Sequence, residues 1–194
     1  MYNIILLTID CLRADYISES ITPNIVKLAK KGVMFTKAMS NGPDTPHSLP
    51  SIFASRYPLS SQIISVTLSE VLKSKGYKTA LFHSNPFFIQ YKKKFDFYED
   101  EGKLHPEKRL TNLTLKILRL LCNMSTYFIK LRALFSHSLN LTSSDYILYR
   151  KGLSWILKNK DSPFFIWMHF MSCHPPYNPP RTFCHRNYSP AYML

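Results

Sequence analysis

The order of strand and helix signals along this chain restricts it to the α/β class of folds. Short runs of Ile, Leu, Val and Phe alternate with stretches whose apolar residues recur at helical spacing. This alternation is typical of layered α/β/α folds with a mostly parallel sheet. The predicted strands are Asn3–Ile9, Val33–Ala38, Tyr77–His83 and Phe164–Met171, and the predicted helices are Pro23–Lys31, Thr67–Gly76 and Asp145–Lys158.

Capping residues define two of the helix starts. Thr22 is expected to cap the first helix, with Pro23 at its first position. Thr67 and Glu70 have the spacing of a capping box for the second.

The ends of the strands indicate where a site would lie. Asn3–Ile9 is an uninterrupted apolar run, which predicts a strand buried on both faces, and Asp10 follows it directly. Phe164–Met171 is followed by His174. Because ligands of parallel sheets bind beyond the carboxyl ends of the strands, Asp10 and His174 are expected at one functional edge.

Length and composition indicate a globular protein. The chain has 194 residues, 45% hydrophobic and 19% charged, which excludes the disordered and low-complexity classes. The first residues lack a basic region and no long uncharged apolar run follows, so neither a signal peptide nor a spanning helix is predicted. We therefore expect a cytoplasmic protein, with its four widely spaced cysteines as reduced thiols.

The charge balance favours an anionic partner. Lys and Arg number 25 against 12 Asp and Glu, a formal net charge of +13. No nucleic-acid-binding motif accompanies this excess, so nucleic acid is not the predicted partner. The segment Leu110–Phe135 is apolar but interrupted by basic residues, which predicts an amphipathic helix that serves as a lid or contacts a membrane surface.

Three segments carry the side chains that metal-assisted attack on an anionic ester requires. They offer a carboxylate at Asp10, hydroxyls at Thr45 and Ser48, and imidazoles at His169 and His174. Spacing alone also allows a turn-capping Asp, helix-capping hydroxyls and a core histidine at position 169.

At these residues the sequence resembles the sulfatases of the alkaline phosphatase superfamily. IDCLRADY resembles their first strand with its metal-binding Asp and Leu-Arg pair, and TPHSLPSIFASRYP resembles the nucleophile loop and the helix behind it. TPNIVKLAKKGVMFTKAMSNGP, GYKTALFHSNPFF, KFDFYED and PFFIWMHFMSCHPPYNPP resemble further family segments in the expected order.

The resemblance implies a role for five residues. Asp10 corresponds to a metal ligand, and Thr45 to the nucleophile, which also contacts the metal. Ser48 matches the loop serine, or the nucleophile if the register slips by three residues, and His174 matches the histidine on the sulfate or leaving-group oxygen. Arg13 matches an arginine with either a salt-bridging or a substrate role. The implied cofactor is a divalent cation, with Ca²⁺ expected and Mg²⁺, Mn²⁺ and Zn²⁺ as alternatives, and the implied substrate is a small anionic ester.

The sequence departs from the family pattern at one metal-ligand position and in the nucleophile loop. Cys11 stands where many sulfatases have a second Asp. Thr45, His47 and Leu49 replace the Cys or Ser, the Pro and the Arg of the segment that is converted to formylglycine, so this conversion is not predicted. Phosphatase, phosphodiesterase and phosphoethanolamine-transferase relatives use a plain threonine, which makes phosphoryl transfer an alternative to sulfate hydrolysis.

The resemblance implies that residues 1–194 are an incomplete, C-terminally truncated catalytic domain, in which 110–160 is a helical insertion or lid. Family members continue further and bring a Gly-Asp-His-Gly motif with more metal ligands. A second polypeptide could supply these ligands. The remaining hypothesis is a non-catalytic remnant or interaction module.

Overall fold

The computed structural model describes residues 1–57, 66–101 and 144–174. The chain divides into two compact units, the first made of Met1–Asp10 with Ser69–Leu194 and the second of Cys11–Leu68. The predicted amphipathic segment Leu110–Phe135 lies outside the described ranges. Within those ranges, no helix combines the length and hydropathy that crossing a membrane requires.

The first unit is built on a four-stranded sheet in which neighbouring strands are parallel. Its strands are β1 (Ile4–Ile9), β2 (Lys78–His83), β3 (Phe97–Asp100) and β4 (Phe164–Phe170). Their order across the sheet is β1-β4-β2-β3, so the last strand in sequence lies between β1 and β2. The α/β class and the parallel sheet predicted from the sequence are confirmed.

Four α-helices accompany the sheet in the described ranges. They are α1 (Pro23–Ala29), α2 (Thr45–Ala54), α3 (Leu68–Ser74) and α4 (Ser144–Asn159). Two 3₁₀ helices cover Ala14–Tyr16 and Pro86–Lys94. The predictions for α1, α3 and α4 are confirmed to within a few residues at each end, and the predicted stop after α3 is the left-handed Gly76, with φ of +83°.

One face of the sheet packs against α4. Alternate residues of β2 and β4 meet Leu148 of the helix. The helix comes closest to the strand at Gly152, where a Cβ would lie 2.3 Å from Sδ of Met168. The buried core on this face comprises Ala80, Phe82, Leu148, Phe164, Ile166 and Met168.

The 3₁₀ helix Pro86–Lys94 contributes a buried aromatic side chain to the opposite face. The ring centroid of its Phe88 lies 5.1 Å from that of Trp167 and 4.6 Å from that of His169. Trp167 and His169 are two positions apart on β4, and the period of two along a strand puts them on the same face. The Phe88 ring therefore lies against both of these side chains.

β1 is an edge strand of the described sheet, and the prediction that it is buried on both faces is wrong. Among the described strands it pairs only with β4. Its side chains alternate in burial, and Ile5 and Leu7 remain 50% and 51% exposed. An apolar run predicts a strand but does not reveal its neighbours, which alone decide how much of each face is covered.

The predicted strand at Val33–Ala38 is also wrong, because this segment has no strand structure. The side chains of Val33 and Phe35 are 79% and 81% exposed. A β-branched and aromatic run becomes a strand only beside a partner that completes its hydrogen bonds, and no described strand pairs with it.

Thr22 precedes α1, but its side chain does not cap the helix as predicted. Its hydroxyl lies 3.3 Å from the carbonyl oxygens of both Tyr16 and Ser18, and it accepts from the backbone N–H of Ser18 at 3.1 Å. The preceding turn therefore competes with the helix for this hydroxyl.

Candidate active site

Polar side chains follow three parallel strands at the carboxyl edge of the first unit's sheet. Asp10 comes directly after β1, Asn85 shortly after β2, and His174 shortly after β4. A carboxylate oxygen of Asp10 and a ring nitrogen of His174 lie within 4.8 Å of each other. The parallel arrangement thus brings together two residues that are far apart in sequence.

The Asp10 carboxylate is held by its neighbours in a mostly buried position. Its backbone N–H donates to the carbonyl oxygen of Phe170 at 2.9 Å, which continues the β1–β4 pairing. The side-chain amide of Asn85 donates to Oδ2 at 3.4 Å, and Nε2 of His169 lies 3.4 Å from the same oxygen. Only 13% of the Asp10 side chain is exposed. Two nitrogens therefore contact one carboxylate oxygen and orient the group.

Asp145 fixes the turn that carries His174. This residue lies in the first turn of α4, and both its carboxylate oxygens accept a hydrogen bond from the N–H of Met171 at 2.9 Å. Its Oδ2 also accepts from the N–H of Ser172 at 2.6 Å. The N–H of His174 donates to the carbonyl oxygen of Met171 at 2.8 Å and closes the turn. The position of the imidazole is therefore set jointly by α4 and β4.

Cys173, next to His174, is not a reactive thiolate. Burial and, less strongly, the charge of Asp145 raise the pKa of its thiol above the usual value. The thiol therefore stays protonated at neutral pH, and the thiolate is the nucleophilic form.

His169 is buried, as a core histidine would be, but it also has polar contacts. Its residue exposure is 5%. Its Nδ1 lies 2.8 Å from Oγ1 of Thr8, and the indole N–H of Trp167 donates to the same hydroxyl at 2.9 Å. His169 thus lies between the Thr8 hydroxyl, which Trp167 also contacts, and the Asp10 carboxylate.

Thr45 is the first residue of α2, in the second unit. Asp44 caps the helix, since its carboxylate accepts from the backbone N–H of His47 at 3.0 Å. The N-terminal end of a helix carries unsatisfied N–H groups and a partial positive charge, both of which stabilise nearby negative charge.

Ser48 contacts the loop that leads into α2. Its hydroxyl donates to the carbonyl oxygen of Gly42 at 3.2 Å and lies 2.9 Å from the hydroxyl of Ser40. A Cβ at Gly42 would lie 2.6 Å from the backbone carbon of His47, so only glycine fits there. These contacts allow Ser48 to stabilise the loop before Thr45.

His47 is oriented by Asp44, a contact that the sequence did not predict. Its Nδ1 lies 2.5 Å from Oδ1 of Asp44, and its side chain is half-exposed. The side-chain bond to His47, followed by the backbone bond, lowers the pKa of the Asp44 carboxyl. The carboxylate therefore stays ionised beside the ring.

Arg13, also in the second unit, makes the salt bridge that was one of its two predicted roles. Its Nε and Nη2 donate to the two carboxylate oxygens of Asp15 at 3.0 and 2.6 Å. Its guanidinium carbon also lies 5.2 Å from the ring centroid of Tyr16. A substrate role for Arg13 stays a prediction.

Comparison with known proteins settles the family. The family model described as Sulfatase matches residues 2–190. The chain belongs to the sulfatase family. The resemblance predicted from the strand, loop and histidine motifs is thereby confirmed.

Two solved structures are similar to this sulfatase-family chain in fold. One is a protein in the alkaline phosphatase superfamily from Vibrio parahaemolyticus, with 16% identity and a TM-score of 0.60 over 96% of this chain and 44% of that one. The other is Ps i-CgsB in complex with k-i-k-neocarrahexaose, with 20% identity and a TM-score of 0.60 over 95% and 49%. The chain thus spans less than half the length of either structure. Among curated proteins none matches it.

Asp10 and His174 suit a divalent cation, which sulfatase-family proteins typically require. Two ligands that bind one ion at about 2.0–2.4 Å lie at most about 4.8 Å apart. The separation of the Asp10 oxygen and the His174 nitrogen stays within 4.8 Å, so both can bind the same ion. Asn85 and His169, which contact the carboxylate, support its orientation.

The sequence patterns did not indicate Asn85 and Asp145 as residues of this candidate site. Asn85 follows β2 much as Asp10 follows β1, so the rule of polar residues at strand ends could have found it. Asp145 was predicted only as the start of a helix. Its partners, Met171 and Ser172, lie after another strand, and no local pattern indicates such a pairing.

Proposed function

We propose that this chain carries part of a sulfatase active site that hydrolyses sulfate esters with the help of a divalent cation. In this proposal Thr45 attacks the ester, Asp10 and Thr45 are ligands of the cation, and His174 assists at the leaving-group or non-bridging oxygen. The observation that carries the proposal is the approach of Asp10 and His174 to within 4.8 Å at the carboxyl edge of the sheet.

Each residue has a defined task. The cation, when bound, would lower the pKa of the attacking hydroxyl and neutralise ester oxygens. Asp10 offers a carboxylate already oriented by Asn85 and His169. The positive end of α2 favours loss of the Thr45 proton. Ser48 stabilises the loop before Thr45, and it is the alternative nucleophile.

The identity of the cation is part of the proposal. Ca²⁺ is the ion expected from the family resemblance, but it prefers six to eight oxygen ligands. Asp10 and His174 offer an oxygen and a nitrogen, and Cys11, next in sequence, offers a sulfur. The nitrogen and sulfur donors favour Zn²⁺ over Ca²⁺ or Mg²⁺, and the carboxylate also suits Mn²⁺. Formylglycine is not required, because Thr45 supplies its own hydroxyl.

Phosphoryl transfer is the second candidate. It is favoured by the threonine at the nucleophile position and by the net charge of +13. The substrate would be a phosphate ester or a phospholipid head group. Contact of Leu110–Phe135 with a membrane surface belongs to this candidate.

A second polypeptide is a proposed partner. The open edge of β1 in the described sheet and the exposed Ile5 and Leu7 support a surface that further chain would cover.

Turnover of 4-nitrophenyl sulfate and 4-nitrophenyl phosphate tests the two candidates. The full chain is assayed with Ca²⁺, Mn²⁺ or Zn²⁺ and compared with Thr45→Val and Asp10→Asn, each of which should abolish turnover. Ser51→Ala is the matched control, because its hydroxyl donates to the carbonyl oxygen of Arg56 at the far end of α2.

The preferred ester distinguishes sulfatase from phosphatase activity. If Thr45→Val retains turnover and Ser48→Ala loses it, the nucleophile is Ser48 and not Thr45. If the chain binds no cation and cleaves neither ester, the remnant hypothesis replaces both candidates.

A further inference from the structure

We infer that Thr8 and Trp167 are positioning residues that hold His169 in one tautomer, and that His169 in turn orients the Asp10 carboxylate. The role of Asp10 as a cation ligand, on which the functional consequence rests, is that of the proposed function. Thr8 and Trp167 have no place in the family resemblance, and the sequence indicates only strand residues at both positions.

Strand register brings the three side chains together. Thr8 of β1 is paired with His169 of β4, and Trp167 lies two residues before His169 on the same face. The Thr8 hydroxyl lies 2.9 Å from the indole nitrogen and 2.8 Å from Nδ1 of His169. Threonine is β-branched and stiff at χ1, so the direction of its hydroxyl is set by the strand.

The donors and acceptors around the Thr8 hydroxyl define the tautomer of His169. The indole nitrogen of Trp167 can only donate, so it occupies a lone pair of the Thr8 oxygen and leaves the hydroxyl proton available. Nδ1 of His169 is the acceptor within reach, and in the described part of the chain the hydroxyl has no other hydrogen-bonding partner. An imidazole that accepts at Nδ1 carries its proton on Nε2.

That Nε2–H points at Asp10. Nε2 lies 3.4 Å from Oδ2 of Asp10, slightly beyond the usual hydrogen-bond range, and has no hydrogen-bond partner among the described residues. The Asn85 amide approaches the same oxygen at 3.4 Å. Both N–H groups face one carboxylate oxygen, and this favours the orientation that the carboxylate has in the structure.

Burial makes this arrangement costly to disturb. His169 and Trp167 are 5% and 1% exposed, and the Phe88 ring lies against both. Away from water, each hydrogen bond is stronger and a lost partner is not replaced. Groups that hydrogen-bond a metal ligand in this way typically change metal affinity by 10–100-fold when mutated.

The tautomer is tested on the full chain without any metal. Two-bond ¹H–¹⁵N NMR spectra at mildly alkaline pH report which ring nitrogen of each histidine carries the proton, and His169→Gln assigns the resonance. We expect the Nε2–H tautomer in the wild type and a change toward Nδ1–H in Thr8→Val, which keeps the shape but loses the hydroxyl. An Nδ1–H tautomer in the wild type, or no change in Thr8→Val, would overturn the proposal.

Mn²⁺ titration by calorimetry tests the consequence for Asp10. Thr8→Val should bind Mn²⁺ at least about 10-fold more weakly than the wild type, and Thr8→Ser, which restores the hydroxyl, should bind within about threefold of it. The matched control is Thr79→Val on β2, whose lost hydroxyl donates to Asp96 at 2.9 Å. It should lose stability but keep its Mn²⁺ affinity.

If Thr8→Val and Thr79→Val weaken Mn²⁺ binding equally, Thr8 contributes only to stability and the proposal is overturned. The proposed function fails separately, if the wild type binds no Mn²⁺ or Asp10→Asn binds it equally well. In that event the NMR result still decides whether Thr8 sets the tautomer of His169.

Discussion

Gly42 determines the path of the chain into Thr45, because a Cβ there would lie 2.6 Å from the backbone carbon of His47. Gly42→Ala must displace the start of α2, and we expect it to lower the free energy of unfolding by about 1–3 kcal/mol. Denaturant titration measures this change. Gly32→Ala is the control, since its nearest atom would be the carbonyl oxygen of Leu28 at 3.9 Å. Equal stability of the two variants would contradict the close approach.

Asp145 is the residue on which the His174 turn depends. Asp145→Ala removes the acceptor of the Met171 and Ser172 N–H groups, and we expect a loss of about 1–3 kcal/mol in unfolding free energy. Hydrogen exchange at these two N–H groups should accelerate. Asp161→Ala, an exposed carboxylate in the turn after α4, is the control and should change neither quantity. Unchanged exchange in Asp145→Ala would show that other contacts hold the turn.

Among the elements, β2 is tied to the start of β3 through Asp96. The carboxylate accepts from the N–H and the hydroxyl of Thr79 at 3.0 and 2.9 Å, and it lies 2.6 Å from Nζ of Lys73. Burial alone would raise the pKa of Asp96, but the bonds from Lys73 and Thr79 outweigh it and hold the pKa below its usual value. The ionised carboxylate therefore stabilises the join between the two strands.

This depressed pKa predicts how stability depends on pH. A carboxyl whose pKa is lower in the folded than in the unfolded chain contributes its stability above the unfolded pKa, and loses it as pH falls through the folded one. Asp96→Asn should cost about 1 kcal/mol near pH 7. The difference from the wild type should shrink below about pH 4. Urea unfolding at several pH values measures it, and a difference that stays constant with pH would contradict the prediction.

For the molecule as a whole, the position of β1 at the edge of the described sheet predicts self-association. Ile5, Leu7 and Ile9 lie on one face and are 50%, 51% and 36% exposed. An open strand edge beside exposed apolar side chains favours pairing with another copy. Leu7→Lys should weaken concentration-dependent association in sedimentation equilibrium and change the unfolding free energy by less than about 0.5 kcal/mol. If Leu7→Lys associates as strongly as the wild type, the copies do not contact each other through this face of β1.

The fold predictions succeeded where the apolar residues of an element are buried by a neighbouring element. The positions of α4, β2 and β4 follow from local period and capping, because each element buries a continuous apolar stripe or run. Val33–Ala38 has an equally suitable local pattern but no strand partner among the described residues. Local preference was therefore sufficient only where a neighbouring element completed it.

The sequence alone was sufficient for the family, the parallel α/β sheet and the placement of Asp10 and His174 beyond strand ends, because these depend on patterns within short segments. Tertiary structure alone decided that β1 lies at the edge of the described sheet, that Asp145 holds the His174 turn, and that Thr8 contacts His169. Thr8 and His169 are 161 residues apart, and only strand register brings them to 2.8 Å. Register depends on the packing of the whole sheet, so no local pattern of residues determines it.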